Sequence, residues 1–389
     1  MRVVMVTWEY PPLVVGGLAA SVDGLARALT RSGHEVVVFT LHHPDVPDDY
    51  VDQGVRVLRA RAELPWLPPD NFIAQMASAN HMLVQLMTRL DGWKPDLVHA
   101  HDWLAAWAGD TLRTLWDVPF VATIHATEKG RHGGVALPPG QPQGVNAVEW
   151  WLTFLARRVI VCTRFMVDEV SHGFDLPADK VDLIPNGVDP DRFAPPPDAP
   201  PRGDTGGPLI VSWGRLQHEK GFHTLVEAMA TVRKSAPNVR CVIAGKGDYA
   251  DELKGLAHRL GVSDVVQFAG FVPDDELKAL LHRASCVVVP SLYEPFGIVA
   301  LEALAAGAPL VAAASGGLAE ILGGTEAALL FESGWADACA DAVVRMLTEP
   351  GVAERCQRAG HALVAEGYTW DLVAAQTLKT YERVLTADA

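Results

Sequence analysis

The chain has 389 residues, enough for two domains of ordinary size. Hydrophobic residues make up 49% and charged residues 20%, the balance of a globular enzyme, which excludes a chain disordered throughout. The net charge of −15 argues against broad nucleic-acid binding and against docking on an anionic membrane face.

In chain order, the sequence opens on an apolar strand after a single Arg2, without the layout of a signal peptide. Strands are predicted at 3–7, 35–40, 55–59, 97–101, 120–125, 159–162 and 181–184, with helices at 18–32, 72–90, 104–116, 147–157 and 164–173. The stretch 194–208, APPPDAPPRGDTGGP, cannot continue a helix or a central strand, and is read as an interdomain linker against the alternative of a surface loop. The pattern then restarts, with strands at 209–213, 239–243, 265–268, 286–289, 310–313 and 328–331. Helices are predicted at 223–235, 249–260, 274–283, 297–307 and 335–348. A helical tail at 368–385 is expected to cross back to the first domain.

Near-continuous Val, Ile and Leu strands alternating with helices indicate parallel sheets covered on both faces. The expected architecture is α/β, with two doubly wound Rossmann-like domains at 1–193 and 209–367. Each offers a crevice at the carboxyl ends of its strands, and the two are expected to face a central cleft. No apolar run of about 18 residues marks a membrane span, so no integral membrane contact is expected. Cys162, Cys241, Cys286, Cys339 and Cys356 form no C-x-x-C pair, and are read as reduced, buried thiols of a cytosolic protein.

Chemistry-bearing residues cluster where strands end. Glu9-Tyr10-Pro11-Pro12 and then Gly16-Gly17-Leu18 follow the first strand and open a helix, which suits a phosphate cradle or a plain tight turn. Gly214-Arg215-Leu216 and Glu219-Lys220-Gly221 place two cations after the first strand of the second half, where they would stabilise a diphosphate or form a solvated turn. Glu294-Pro295-Phe296-Gly297 leads into a helix carrying Glu302. That helix is largely apolar, so a carboxylate within it calls for a partner such as a ribose or sugar diol. His99, His101 and Asp102 end one strand and His125 another. His-x-His invites zinc, but no third ligand has convincing spacing, so contact with substrate is the better reading and a core role stays open for His99. Ser315-Gly316-Gly317 forms a second glycine-rich turn. Trp150 and Trp151 are candidates for stacking on sugar rings, though neighbours on a helix point different ways.

Three stretches together resemble the family 4 retaining glycosyltransferases of GT-B fold: PNGVD at 185–189, GRLQHEKG at 214–221, and EPFGIVALE at 294–302, which has the E-x7-E spacing. WEYPPLVVGGLA, HAHDW and TIHATEKGRHGG are similar to glycogen synthases, especially short actinobacterial α-1,4-glucosyltransferases. The resemblance covers nearly the whole chain. It implies transfer of glucose from ADP-glucose or UDP-glucose to the 4-hydroxyl of an α-glucan. It also implies no cofactor and no metal, with only the nucleotide-sugar and a carbohydrate acceptor as partners. It implies that Arg215 and Lys220, helped by Gly16 and Gly17, hold the diphosphate. Glu302 would bind the ribose. Glu294 and the N–H groups of Phe296 and Gly297 would hold the donor sugar. His125 would lie beside the reacting sugar, and Glu9 and Asp102 toward the acceptor. Glucose 1-phosphate, a lipid-linked sugar or a small natural product are alternative acceptors, and a sugar-nucleotide epimerase is the alternative enzyme. One departure stands out: Val14 and Val15 precede the Gly-Gly, where long bacterial glycogen synthases carry Lys.

Overall fold

The computed structural model describes residues 1–61, 71–196, 202 and 206–386. They form two compact units. The first is Met1–Gly187 with Trp370–Ala389, and the second is Val188–Thr369.

The first unit is built on β1 (Arg2–Val6), β2 (Glu35–Leu41), β3 (Asp49–Asp52), β4 (Val55–Ala60), β5 (Leu97–His101), β6 (Phe120–Thr123), β7 (Arg158–Val161) and β8 (Val181–Leu183). Their order in the sheet is β3-β4-β2-β1-β5-β6-β7-β8. All neighbouring pairs are parallel except β3 on β4. Val3–Val6 and Val36–Phe39 are buried because helices cover both faces of the sheet, so these strands carry no polar alternation. The sheet order reverses direction between β1 and β5, which opens a crevice beyond their carboxyl ends.

The second unit contains β9 (Leu209–Trp213), β10 (Arg240–Ala244), β11 (Val266–Gly270), β12 (Cys286–Val289), β13 (Leu310–Ala313) and β14 (Ala328–Phe331). The order is β11-β10-β9-β12-β13-β14, all parallel, with its reversal between β9 and β12. The expectation of two doubly wound α/β domains therefore holds.

The chain leaves the first unit after Gly187, ahead of the short helix Pro190–Phe193 that the sequence reading assigned to the first domain. In the Pro-rich stretch 194–208, residues 197–201 and 203–205 lie outside the described residues. Arg202 within it donates to the carbonyls of Leu281 (2.6 Å) and Ala306, both in the second unit. The terminal helix Trp370–Thr386 belongs to the first unit. Its Trp370 ring fills a notch at Gly24, where an added Cβ would lie 2.0 Å from the indole, so no larger residue fits there without moving the helix.

Several elements differ from expectation. Strand β3 alternates intermediate and exposed residues and carries two Asp residues, so its apolar signal is weak. Helix Gln141–Leu155 starts before the predicted 147, because Pro142 sits in its first turn, where no N–H is required. Helix Val352–Gly367 was not anticipated. Its buried stripe, Val352, Cys356, Gly360 and Val364, has small residues at its centre, which blunts the apolar period while letting Leu304 approach closely. All five cysteines are buried and outside any disulfide. Among the described residues, no helix is long and apolar enough to cross a membrane.

Candidate active site

In the second unit, four turns at the carboxyl ends of the strands are laced together by backbone hydrogen bonds. Gly214 N donates to Ala244 O (3.1 Å), Leu216 N to Lys246 O (2.9 Å), Leu292 N to Glu219 O (2.8 Å) and Gly317 N to Glu294 O (2.7 Å). Gly221 makes this possible. Its φ of +65° and its approach to Pro290, 2.0 Å from where a Cβ would lie to the carbonyl oxygen, exclude any other residue without a backbone shift. The turn after β9 is thereby pressed onto the turn after β12.

The consequence is a charged cluster at the point where the strand order reverses. Lys220 Nζ donates to Glu294 Oε2 at 2.8 Å, and Ser291 Oγ donates to the same oxygen at 2.9 Å. Lys220 and Glu294 are both largely buried. Arg215 Nη2 lies 3.9 Å from Glu219 Oε1, so its guanidinium has only a loose ion pair there. Phe296 is buried with its ring against Tyr368, and Gly297 at φ +111° caps helix Ile298–Ala305. Glu302, on that helix, is partly buried. Burial raises its carboxyl to about 7, opposed by Arg192 and by a hydrogen bond from the Trp213 side chain.

Sequence reasoning thus named Arg215, Lys220, Glu294, Phe296, Gly297 and Glu302, and the fold brings Lys220 and Glu294 into contact. It missed Ser291 and Lys246. The Gly245-Lys246-Gly247 run after β10 carried a signal, a glycine-flanked cation at a strand end. Ser291 stands only three residues before its partner Glu294, a local spacing that the sequence reading did not use.

In the first unit, the loop after β1 is arranged differently from expectation. The backbone N–H groups of Val15 and Gly16 donate to Glu9 Oε2 at 2.8 and 3.0 Å. Glu9 is buried, so the protein's own carboxylate occupies the position assigned to a phosphate at Gly16. Gly16, expected to offer its amide to a phosphate, thus donates to Glu9, and Glu9, expected toward the acceptor, accepts from this loop. The physical reason is that an anion at a helix start is favoured whether it comes from a ligand or from the chain. Gly17 begins the helix Gly17–Arg31, while Val14 and Val15 stay exposed. Beneath the loop, fully buried Arg59 donates to the carbonyls of Tyr10 (3.1 Å), Pro11 (2.5 Å) and Leu41 (2.9 Å), which fixes the loop to β4.

Asp102 and His125 meet beyond β5 and β6. Asp102 has φ +60° and ψ 168°, a conformation that costs a non-glycine residue about 1–3 kcal/mol. It is held there by Asp102 N donating to Thr123 O (2.9 Å), and by its Oδ1 accepting from His125 N (2.7 Å). His99 is wholly internal, with Nδ1 2.7 Å from the Tyr381 hydroxyl and Nε2 2.7 Å from Thr123 Oγ1. The core role left open for His99 is the one observed. Burial holds His99 neutral, down to about 3, and lowers His101 and His125 as well.

Glu149 was not anticipated. It is buried and accepts from Glu128 N at 2.9 Å, while its Oε2 has no partner among the described residues, and burial pushes its carboxyl well above the usual range. Trp150 is half exposed and stacked on Phe154, whereas Trp151 packs beside Trp107.

Residues 15–192 match the family model described as Glycosyltransferase Family 4, and residues 199–362 match Glycosyl transferases group 1. A glycogen synthase of Mycobacterium tuberculosis is 38% identical over 98% of this chain and 94% of that protein. The chain is a family 4 glycosyltransferase. A D-inositol 3-phosphate glycosyltransferase of Xylanimonas cellulosilytica is 32% identical over 94% of this chain and 91% of that protein. The solved sucrose-phosphate synthase from Thermosynechococcus elongatus superposes with a TM-score of 0.85 at 27% identity, covering all of both chains. This glycosyltransferase has the GT-B fold and is a hexosyltransferase by its relatives.

Proposed function

We propose that this glycosyltransferase moves glucose from ADP-glucose or UDP-glucose to the 4-hydroxyl of an α-glucan, with retention of configuration, in the cytoplasm. The observation that carries the reading is the meeting of Lys220, Ser291 and Glu294 at the strand-order reversal of the second unit. A sugar diphosphate there would find Lys220 and Arg215 for its phosphate oxygens. The Glu294 carboxylate would accept from the sugar hydroxyls, and Glu302 would accept from the ribose. The full-length similarity to a glycogen synthase supports glucose and a glucan over other sugars and acceptors.

In this reading the bond from the anomeric carbon to the diphosphate oxygen breaks through an oxocarbenium-like transition state. The acceptor oxygen attacks from the same face, and its proton passes to the leaving phosphate. Lys220 and Arg215 stabilise the negative charge that grows on the leaving group, which makes them the main electrostatic contribution to rate. The reaction then needs no metal, since the cations are side chains. The family resemblance assigns Gly17 to the diphosphate, Asp102 to the acceptor and His125 to the reacting sugar.

The test is a screen of ADP-glucose, UDP-glucose and GDP-mannose, each with and without maltooligosaccharide, in the presence and absence of a chelator. Glucan-dependent nucleotide release with chain extension by mass, an α anomeric signal by NMR and indifference to the chelator are expected. Release that depends instead on a phosphorylated polyol would favour the second reading, an acceptor of the kind named for the 32%-identical relative.

A further inference from the structure

His101 has a place in the site that its neighbours' roles do not account for. It ends β5, is 1% exposed, and packs its ring against His99 with centroids 4.2 Å apart. Its Nδ1 lies 3.2 Å from Nε2 of His125, and the two rings are nearly parallel. Its Nε2 is buried and has no partner among the described residues. His125 is only partly buried, and its Nδ1 is not among the buried unpaired atoms.

Both rings are held neutral by burial, so exactly one proton must sit between them for the contact to be a hydrogen bond. Two arrangements satisfy this. In one, His101 carries its proton on Nδ1 and donates to His125 Nε2, which puts the proton of His125 on Nδ1. In the other, His125 donates from Nε2, and the proton of His101 sits on its buried, unpartnered Nε2. The second arrangement strands an N–H donor in the interior, where buried donors without partners are rare because the lost hydrogen bonds to water are not replaced. The first leaves only a lone pair unpaired. At the accessible Nδ1 of His125, water serves a proton or a lone pair equally, so that end does not alter the choice.

We infer that His101 is a positioning residue that fixes His125 in the tautomer protonated at Nδ1, so that His125 offers its ligand an N–H donor and not a basic lone pair. The consequence for catalysis rests on the proposed placement of His125 beside the reacting sugar. In that tautomer His125 cannot take the acceptor's proton, because its open nitrogen already carries one. It instead donates to an oxygen of the sugar or its leaving group, in keeping with proton transfer to the phosphate.

The experiment is NMR of the wild-type protein with isotope-labelled histidine, where the ring nitrogen shifts report which nitrogen of His125 carries hydrogen, followed by kinetics of three variants. Expected is Nδ1–H at His125 in the wild type, and loss of that single tautomer in His101→Phe. His101→Phe should also lower kcat about tenfold or more with the donor KM little changed. His101→Asn places an amide N–H where Nδ1–H stood and should restore both the signature and most of kcat. His101→Gln, which places it at the Nε2 position, should not. Nε2–H at His125 in the wild type overturns the inference with no variant required. The expected tautomer combined with an unchanged kcat in His101→Phe leaves the tautomer standing, and overturns both the positioning role in catalysis and the placement of His125 at the reacting sugar.

Discussion

The turn after β1 and the turn after β9 occupy equivalent places, each beside the reversal of strand order in its own sheet and each rich in glycine. Their electrostatics are opposite. After β1, the helix-start amides of Val15 and Gly16 are satisfied internally by the Glu9 carboxylate. After β9, the turn delivers cations, with Lys220 held on Glu294 and Arg215 only loosely paired with Glu219. One sheet order therefore supports an anion-holding turn that is already filled and a cationic turn suited to an incoming diphosphate. Strand order gives the location of a site. The charge at the turn decides what the site takes.

The largest effect that would break this contrast is on Lys220. Lys220→Ala should lower kcat by about 100- to 1,000-fold, the range for removing a preorganised group that stabilises developing charge. Measured with saturating donor, and with the unfolding midpoint as a control for the buried Glu294 carboxylate left without its cation, a loss under tenfold would remove the second turn's assigned role.

A smaller effect concerns Glu302, whose carboxyl burial raises to about 7. If it accepts from the ribose diol, the ionised form binds donor better. Donor affinity should then weaken as pH falls below about 7, by up to tenfold per pH unit, and Glu302→Gln should flatten that dependence. Stability runs the opposite way. The folded protein holds this proton more tightly than the unfolded chain, where the group titrates near 4.5, so the contribution of Glu302 to stability declines as pH rises from there through about 7. Calorimetric titration of donor across this range is the measurement, and a flat profile in the wild type rules out the carboxylate as the ribose acceptor.

The same contrast shows which information the sequence carried. Strands β5, β9, β12, β13 and β14 were read to the residue, because each is a short, largely buried and mostly apolar run that ends at a turn. The second unit's site was legible because Lys220, Glu294 and Glu302 lie in stretches of fixed local spacing. The first unit's was less so. Glu9 and Gly16 were both named, but their mutual contact closes a loop through Pro11 and Pro12, and nothing in linear spacing shows that one residue fills the position offered by the other. His101 was named only as one of several strand-end histidines, and Glu149 was missed, for a related reason. Their importance comes from what they fail to pair with, which is a property of the folded interior.

The finest distinction is drawn at Glu9. If its carboxylate is the internal anion of the first turn, Glu9→Ala removes an acceptor shared by two backbone N–H groups and leaves them to water or to nothing. A lost helix-start acceptor costs about 1–2 kcal/mol, so the first unit should be destabilised by that amount in denaturant titration. Glu9→Gln, which keeps one acceptor oxygen, should lose less. Donor affinity should be unchanged in both if the other turn alone holds the donor, as the proposed role of Lys220 and Arg215 requires. A residue that met only the acceptor would behave otherwise, raising the acceptor KM with stability intact. Tighter donor binding in Glu9→Ala would be the most informative deviation. It would mean that the vacated amides of Val15 and Gly16 accept a phosphate once the carboxylate is gone, and that the two turns differ by a single side chain.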